Sequence, residues 1–139
     1  MILQLIYVSR AAPGITERDA YDIIRTAHNR NSRHGLTGAL ILLDGHFLQV
    51  LEGERIALDL RFQAILADAR HVDVQVRRRH EVEAPSFPGE WMALRHGEAI
   101  DAALRARYGY QPGFPAAAMD PNRLLDFARA CCAVGLAQA

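Results

Sequence analysis

The chain has 139 residues, 50% of them hydrophobic and 23% charged, enough for one buried core with a short appendage but not for a second full domain. Sixteen basic and sixteen acidic side chains cancel, so no global field recruits nucleic acid or an anionic membrane. No apolar run approaches the roughly 20 residues of a membrane span.

Along Met1 to Ser9, Leu3, Leu5, Tyr7 and Ser9 alternate with Ile2, Gln4, Ile6 and Val8. Both faces are largely apolar, which predicts a central strand. The run ends at Arg10 with no basic leader and no small-residue cleavage site, which argues against a signal peptide. Pro13 and Gly14 break the chain, and Thr16 with Asp19 three residues on gives a capping-box start to a helix. Ala20, Ile23, Ile24 and Ala27 form its apolar stripe, Asn31 extends it, and Gly35 offers the stop. Leu36 to Leu43 and His46 to Leu51 read as strands joined by the hairpin turn Asp44-Gly45, with Phe47, Gln49 and Leu51 on one face.

Glu54 to Ala69 predicts a second helix whose stripe is Leu58, Phe62 and Ile65. Val72, Val74 and Val76 alternate with Asp73, Gln75 and Arg77 in a half-exposed fourth strand. Arg77, Arg78 and Arg79, the one basic cluster, read as a solvated rim. The connector APSFPG leads to a short fifth strand over 90–96. Ile100 to Arg107 reads as a helix, GYQPGFP as a loop, and Asp120 with Pro121 opens a last helix carrying Leu124, Leu125, Phe127, Cys131 and Val134. Cys131 and Cys132 are adjacent, where a mutual disulfide is strained, and this favours a cytoplasmic protein. The six histidines, 28, 34, 46, 71, 80 and 96, show no metal-ligand spacing.

Strand, helix, strand, strand, helix, strand, strand is the ferredoxin-like order: an α+β fold with a five-stranded, antiparallel-dominated sheet and two helices on one face. Residues 1–97 form this domain. Residues 98–139 form a helical extension of two short helices, expected to cover the free sheet face or to make an oligomer contact. Within the domain, Tyr7, Asn31 and Gln49 occupy core-facing positions, where a phenol and two amides need hydrogen-bond partners. The trio points to a planar, polar-edged ligand in the helix-to-sheet groove, a chromophore.

The segments LIYVS, the helix ending in N-R-N, the run GLTGALILLDGHFLQVLEGE and ADARH together resemble a BLUF domain, the family of flavin-binding blue-light sensors. The resemblance spans roughly residues 1–97 and implies the same ferredoxin-like fold. It also implies that Tyr7 on the first strand donates an electron and then a proton to the excited flavin, with Gln49 between them. An amide both donates and accepts, so Gln49 can hold two hydrogen-bond patterns. Asn31 matches the asparagine at the flavin edge, and Arg30 a neighbouring basic position that approaches ring or phosphate. Asp68, Arg70 and His71 match the polar group at the end of the second helix, which contacts the flavin ring and ribityl side, and Ile23, Ile24, Phe47 and Ile65 would be apolar walls. The implied cofactor is FAD, with FMN or riboflavin as alternatives.

On the fifth strand the chain departs from the family's Trp-x-Met pattern, because Trp91 and Met92 are adjacent. Either Met92 faces inward and Glu90 takes the tryptophan site, or a bulge near Gly89 turns Trp91 inward; the shared face of Met92 and Leu94 favours the first. Trp91 and Met92 are the expected output residues. The resulting expectation is a non-enzymatic photoreceptor, a homo-oligomer or one that signals to an unidentified downstream protein. Two other readings stay open: a flavin-less interaction module, and an acylphosphatase-type hydrolase using Arg10 and Asn31.

Overall fold

The computed structural model describes residues 1–97 and 100–137, and the side chains of residues 17, 20, 24, 28, 96 and 134–137 lie outside the described residues. Ile24 and Val134 therefore have a backbone position only. The sheet holds β1 (Ile2–Ala11), β2 (Thr37–Leu43), β3 (His46–Gly53), β4 (His71–Val82) and β5 (Ala93–His96) in the order β4-β1-β3-β2-β5. All pairings are antiparallel except β2 with β5. Helices α1 (Glu17–His34) and α2 (Arg55–Leu66) lie on one face, while α3 (Ala102–Arg107) and α4 (Pro121–Ala137) complete the chain. This is the ferredoxin-like arrangement expected from the element order.

Local chemistry explains the element ends. Thr16 caps α1 through a reciprocal box with Asp19, and Gly35 ends it in the left-handed conformation at φ 68°. Glu54 caps α2, its carboxylate accepting the backbone N–H groups of Ile56 and Ala57 at 3.1 and 3.0 Å.

Two apolar clusters share the sheet. Leu3, Leu5, Tyr7, Leu40, Phe47 and Leu51 pack under α1 and α2 with Ile23, Leu58 and Ile65. Ile6, Val8, Ile41, Leu48 and Val50 face the other way and are covered by Leu124, Phe127 and Cys131 of α4 and by Phe114. β1 is thus buried on both faces, as its two-sided pattern predicts.

Several expectations change. α2 ends at Leu66 rather than Ala69, so His71 opens β4 instead of closing the helix. α3 starts at Ala102, capped by the Asp101 side chain on the N–H of Leu104 at 2.7 Å. β5 starts at Ala93, and 90–92 form an irregular approach to it. α4 is 17 residues long, not short. The alternation in β4 fails as well: its register against β1 shifts twice, Asp73 adopts φ 53°, and Val76 is 49% exposed.

Candidate functional site

Tyr7 on β1 stands opposite Gln49 on β3, and both side chains point under the helices. The Tyr7 hydroxyl donates to Gln49 Oε1, with both residues buried. Gln49 Nε2 approaches the thioether of Met92 at 3.5 Å. Burial, the largest influence, pushes the Tyr7 pKa far above that of an ordinary tyrosine, so its proton stays on the phenol.

Above this pair a cavity of about 160 Å³ opens between α1 and α2, several times the roughly 30 Å³ share of one water. Gln49 forms its floor; Ile23, Ala27 and Ile65 are its apolar walls; Arg30, Arg61, Asp68, Arg70 and His71 are its polar ones. A second cavity, lined by Arg30, His34, Ala57, Leu60, Arg61 and Ala64, shares three of these residues, so a groove continues outward between the helices.

The polar wall is ordered. Arg70 and Asp68 pair at 2.7 Å, and the Arg70 hydrogen bonds hold the Asp68 carboxyl below the usual carboxylate range. His71 contacts the Ser9 hydroxyl at 3.2 Å and packs on Phe47 with ring centroids 4.6 Å apart. Desolvation lowers its pKa, which keeps the imidazole neutral near pH 7. Phe47 supports His71 from below and does not line the cavity.

Asn31 lies fully buried at the end of α1, its Nδ2 donating to the Trp91 carbonyl at 2.7 Å. Its Oδ1 is buried without a partner among the described residues, as is Arg61 Nε. Asn31 is not part of the cavity lining, whereas Arg61 and the Gln49 amide are; an unmet donor and an amide beside apolar walls suit a flat heterocycle that carries both N–H and C=O edges. The residues present therefore fit a flavin. Met92 is buried and Trp91 half-buried, so Met92 takes the inward position.

The pattern of the chain does not single out Thr26, Ala64 or Arg61, all of which line the cavity. Arg61 was detectable in principle, because it lies between Leu58 and Ile65 on the buried stripe of α2. Arg10 and Asn31 are not brought together: Arg10 pairs with Asp73 between β1 and β4, while Asn31 reaches the approach to β5 across the sheet. Among the described residues, no three His, Cys, Asp or Glu side chains gather as a metal-binding group.

A sequence profile of the BLUF family, "Sensors of blue-light using FAD", matches residues 2–93. The chain is 34% identical over 87 residues to photoactivated adenylate cyclase subunit beta of Euglena longa, an alignment that takes in 63% of this chain and 10% of that protein. It is 38% identical over 73 residues to photoactivated adenylate cyclase subunit alpha-like protein FB of Euglena gracilis, across 52% of this chain and 7% of that one. The chain thus spans a tenth or less of the length of these curated relatives. Among solved structures, BlrB, a BLUF protein in its dark state, superposes with a TM-score of 0.76 at 28% identity, covering 96% of both chains. Klebsiella pneumoniae BlrP1, solved with FMN and cyclic diGMP, gives a TM-score of 0.72 at 30% identity over 94% of this chain and 35% of that one.

Proposed function

The chain belongs to the BLUF family of blue-light sensors that use FAD, and on that premise we propose that it is a photoreceptor switch with no turnover of its own. Tyr7 and Gln49 are its photoactive pair. The carrying observation is the buried Tyr7 hydroxyl bonded to a Gln49 amide that forms the cavity floor.

A bound flavin supplies blue-light absorption and an excited state that draws an electron from a close donor. Tyr7 would be that donor: because its buried phenol strongly disfavours ionisation, the Oη proton would pass along the hydrogen bond toward Gln49 Oε1 as the electron leaves for the flavin, and both would return to Tyr7 once Gln49 has turned. Gln49 starts with its carbonyl toward Tyr7 and its Nε2 toward Met92. Turning the amide exchanges donor for acceptor at both ends without moving the backbone. The Gln49 hydrogen bonds inside the cavity then change, and the absorption moves to the red.

Asn31 holds the ring edge, Asp68, Arg70 and His71 form the opposite polar rim, and Ile23 and Ile65 shape the slot, with Phe47 supporting His71 from below. FAD is the preferred form, because the groove leads past Arg30, Arg61 and His34, where no carboxylate forms an ion pair among the described residues and phosphate would be welcome. Residues 1–97 bind flavin. Trp91, Met92 and residues 98–139 carry the output to a second copy or a downstream protein in the cytoplasm. In support, Met92 touches Gln49, and no helix among the described residues is long and apolar enough to cross a membrane.

Purified protein is expected to be yellow and to shift reversibly to the red under blue light, with the shift lost in Gln49→Leu and Tyr7→Phe. A protein that stays colourless after flavin reconstitution would sink this reading.

A further inference from the structure

Glu52 has 0% exposure on the α4 face of β3, the same face as Leu48 and Val50. A carboxylate buried among apolar neighbours is costly unless donors meet its oxygens. Four do. Oε1 accepts from Thr37 Oγ1 and from the backbone N–H of Phe87, each at 3.0 Å. Oε2 accepts from Gln4 Nε2 at 2.9 Å and from the backbone N–H of Ser86 at 2.7 Å. Gln4 and Thr37 stand directly across from Glu52 on β1 and β2, while the other two donors belong to the connector between β4 and β5.

That connector ends at the flavin side of the sheet. The N–H of Glu90 returns to the Phe87 carbonyl at 3.2 Å, and the Glu90 carbonyl accepts from Gly38 N–H at 2.9 Å. Next come the Trp91 carbonyl, bonded to Asn31, and the Met92 sulfur, in contact with Gln49. The segment is therefore held at its start by Glu52 and at its end by Asn31, the ring-edge residue, and Gln49, the switching amide.

We propose that Glu52 is a positioning residue for the light switch: by binding the amides of Ser86 and Phe87 across the sheet, it sets where Trp91 and Met92 meet Asn31 and Gln49. This rests on Gln49 being the switching amide. Glu52 itself lies on the opposite sheet face and touches nothing in the cavity.

Trp91 is the only tryptophan of the chain, so its fluorescence reports the connector in flavin-free protein. Glu52→Gln keeps the volume but puts an NH2 group where an oxygen accepts from two of the four donors. The expected result is a red-shifted Trp91 emission with quencher access raised about twofold or more, and, in flavin-loaded protein, dark recovery altered by about threefold or more at unchanged flavin affinity. Thr37→Val removes one donor and is expected to move Trp91 in the same direction by less. If Glu52→Gln does not fold, Thr37→Val decides by the same readout. A lowered unfolding midpoint with Trp91 emission and quenching as in the wild type would overturn the proposal, leaving Glu52 a purely structural group. A Trp91 response in Glu52→Gln, where the flavin-loaded wild type itself shows no light reaction, would support the positioning role and overturn the switch assignment of Gln49.

Discussion

His71 is the titratable side chain that ties the cavity to the stability of the chain. It is buried against Phe47 and Ser9, and desolvation, the dominant influence, lowers its pKa below the ordinary 6.5. Asp68 opposes that shift, while Arg70 and Arg61 add to it. Because the folded pKa is depressed, the unfolded chain takes up the proton first as pH falls. Stability is then full above the ordinary imidazole range and drains as pH drops through 6.5 toward the folded value. Asp68 acts elsewhere: its carboxyl is also depressed, so its contribution is lost only below 3.8, outside this window. Urea unfolding between roughly pH 7.5 and 5.5 should show the wild type losing stability on acidification and His71→Phe losing less. The substitution keeps a ring on Phe47, and the orphaned Ser9 hydroxyl affects both pH values alike. Equal losses would show that His71 is not the group responsible.

Between α1 and α2 the relevant property is charge along the groove. Arg61 is partly desolvated and Arg30 stands close enough to lower its pKa further, so two guanidinium groups face one channel. An anion there relieves their repulsion, and exposed charges of this kind are screened by salt. FAD and FMN should bind more tightly than riboflavin by about tenfold at low ionic strength, a gap of about 1.4 kcal/mol that narrows as salt rises. Arg61→Gln should reduce it. Equal affinity of riboflavin, measured by fluorescence titration, would remove the phosphate argument for FAD and leave the ring site intact.

These elements also separate what is legible in the sequence from what is not. Thr16 with Asp19, the stop at Gly35 and the Asp44-Gly45 turn are local devices whose partners lie within a few residues, so pattern alone locates them. Tyr7 and Gln49 stand out as polar residues on apolar strand faces. Glu52 breaks the same rule on the other face of β3, yet its partners come from β1, β2 and the connector, and only the folded register unites them. The bulges of β4 are equally non-local, because they are set by the pairing with β1. Arg61 hides for another reason: a long side chain on a stripe reads as a snorkelling surface residue until the neighbouring helix is in place.

At the scale of the molecule, the sheet separates two unlike layers. α1 and α2 enclose a slot with a largely polar wall, whereas α4 closes an aromatic cluster in which Phe127 lies near Phe114, Tyr108 and Tyr110 at centroid distances of 6.3, 6.1 and 5.7 Å. Among the described residues, no side chain of α4 lines the cavity of Gln49. β1, β2 and β3 carry side chains into both layers, and the stretch from Met92 into β5 links them as well, with Met92 on Gln49 and Arg95 Nη2 on the Cys132 carbonyl at 3.4 Å. Phe127→Ala empties a fully buried ring site, and should cost about 3–5 kcal/mol in urea or thermal unfolding. The protein that remains folded should keep the wild-type flavin spectrum and the full amplitude of the light-induced red shift. A changed dark spectrum in that variant would mean that packing under α4 is transmitted across the sheet to the cavity, and the two layers would then form one site rather than a receptor and its support.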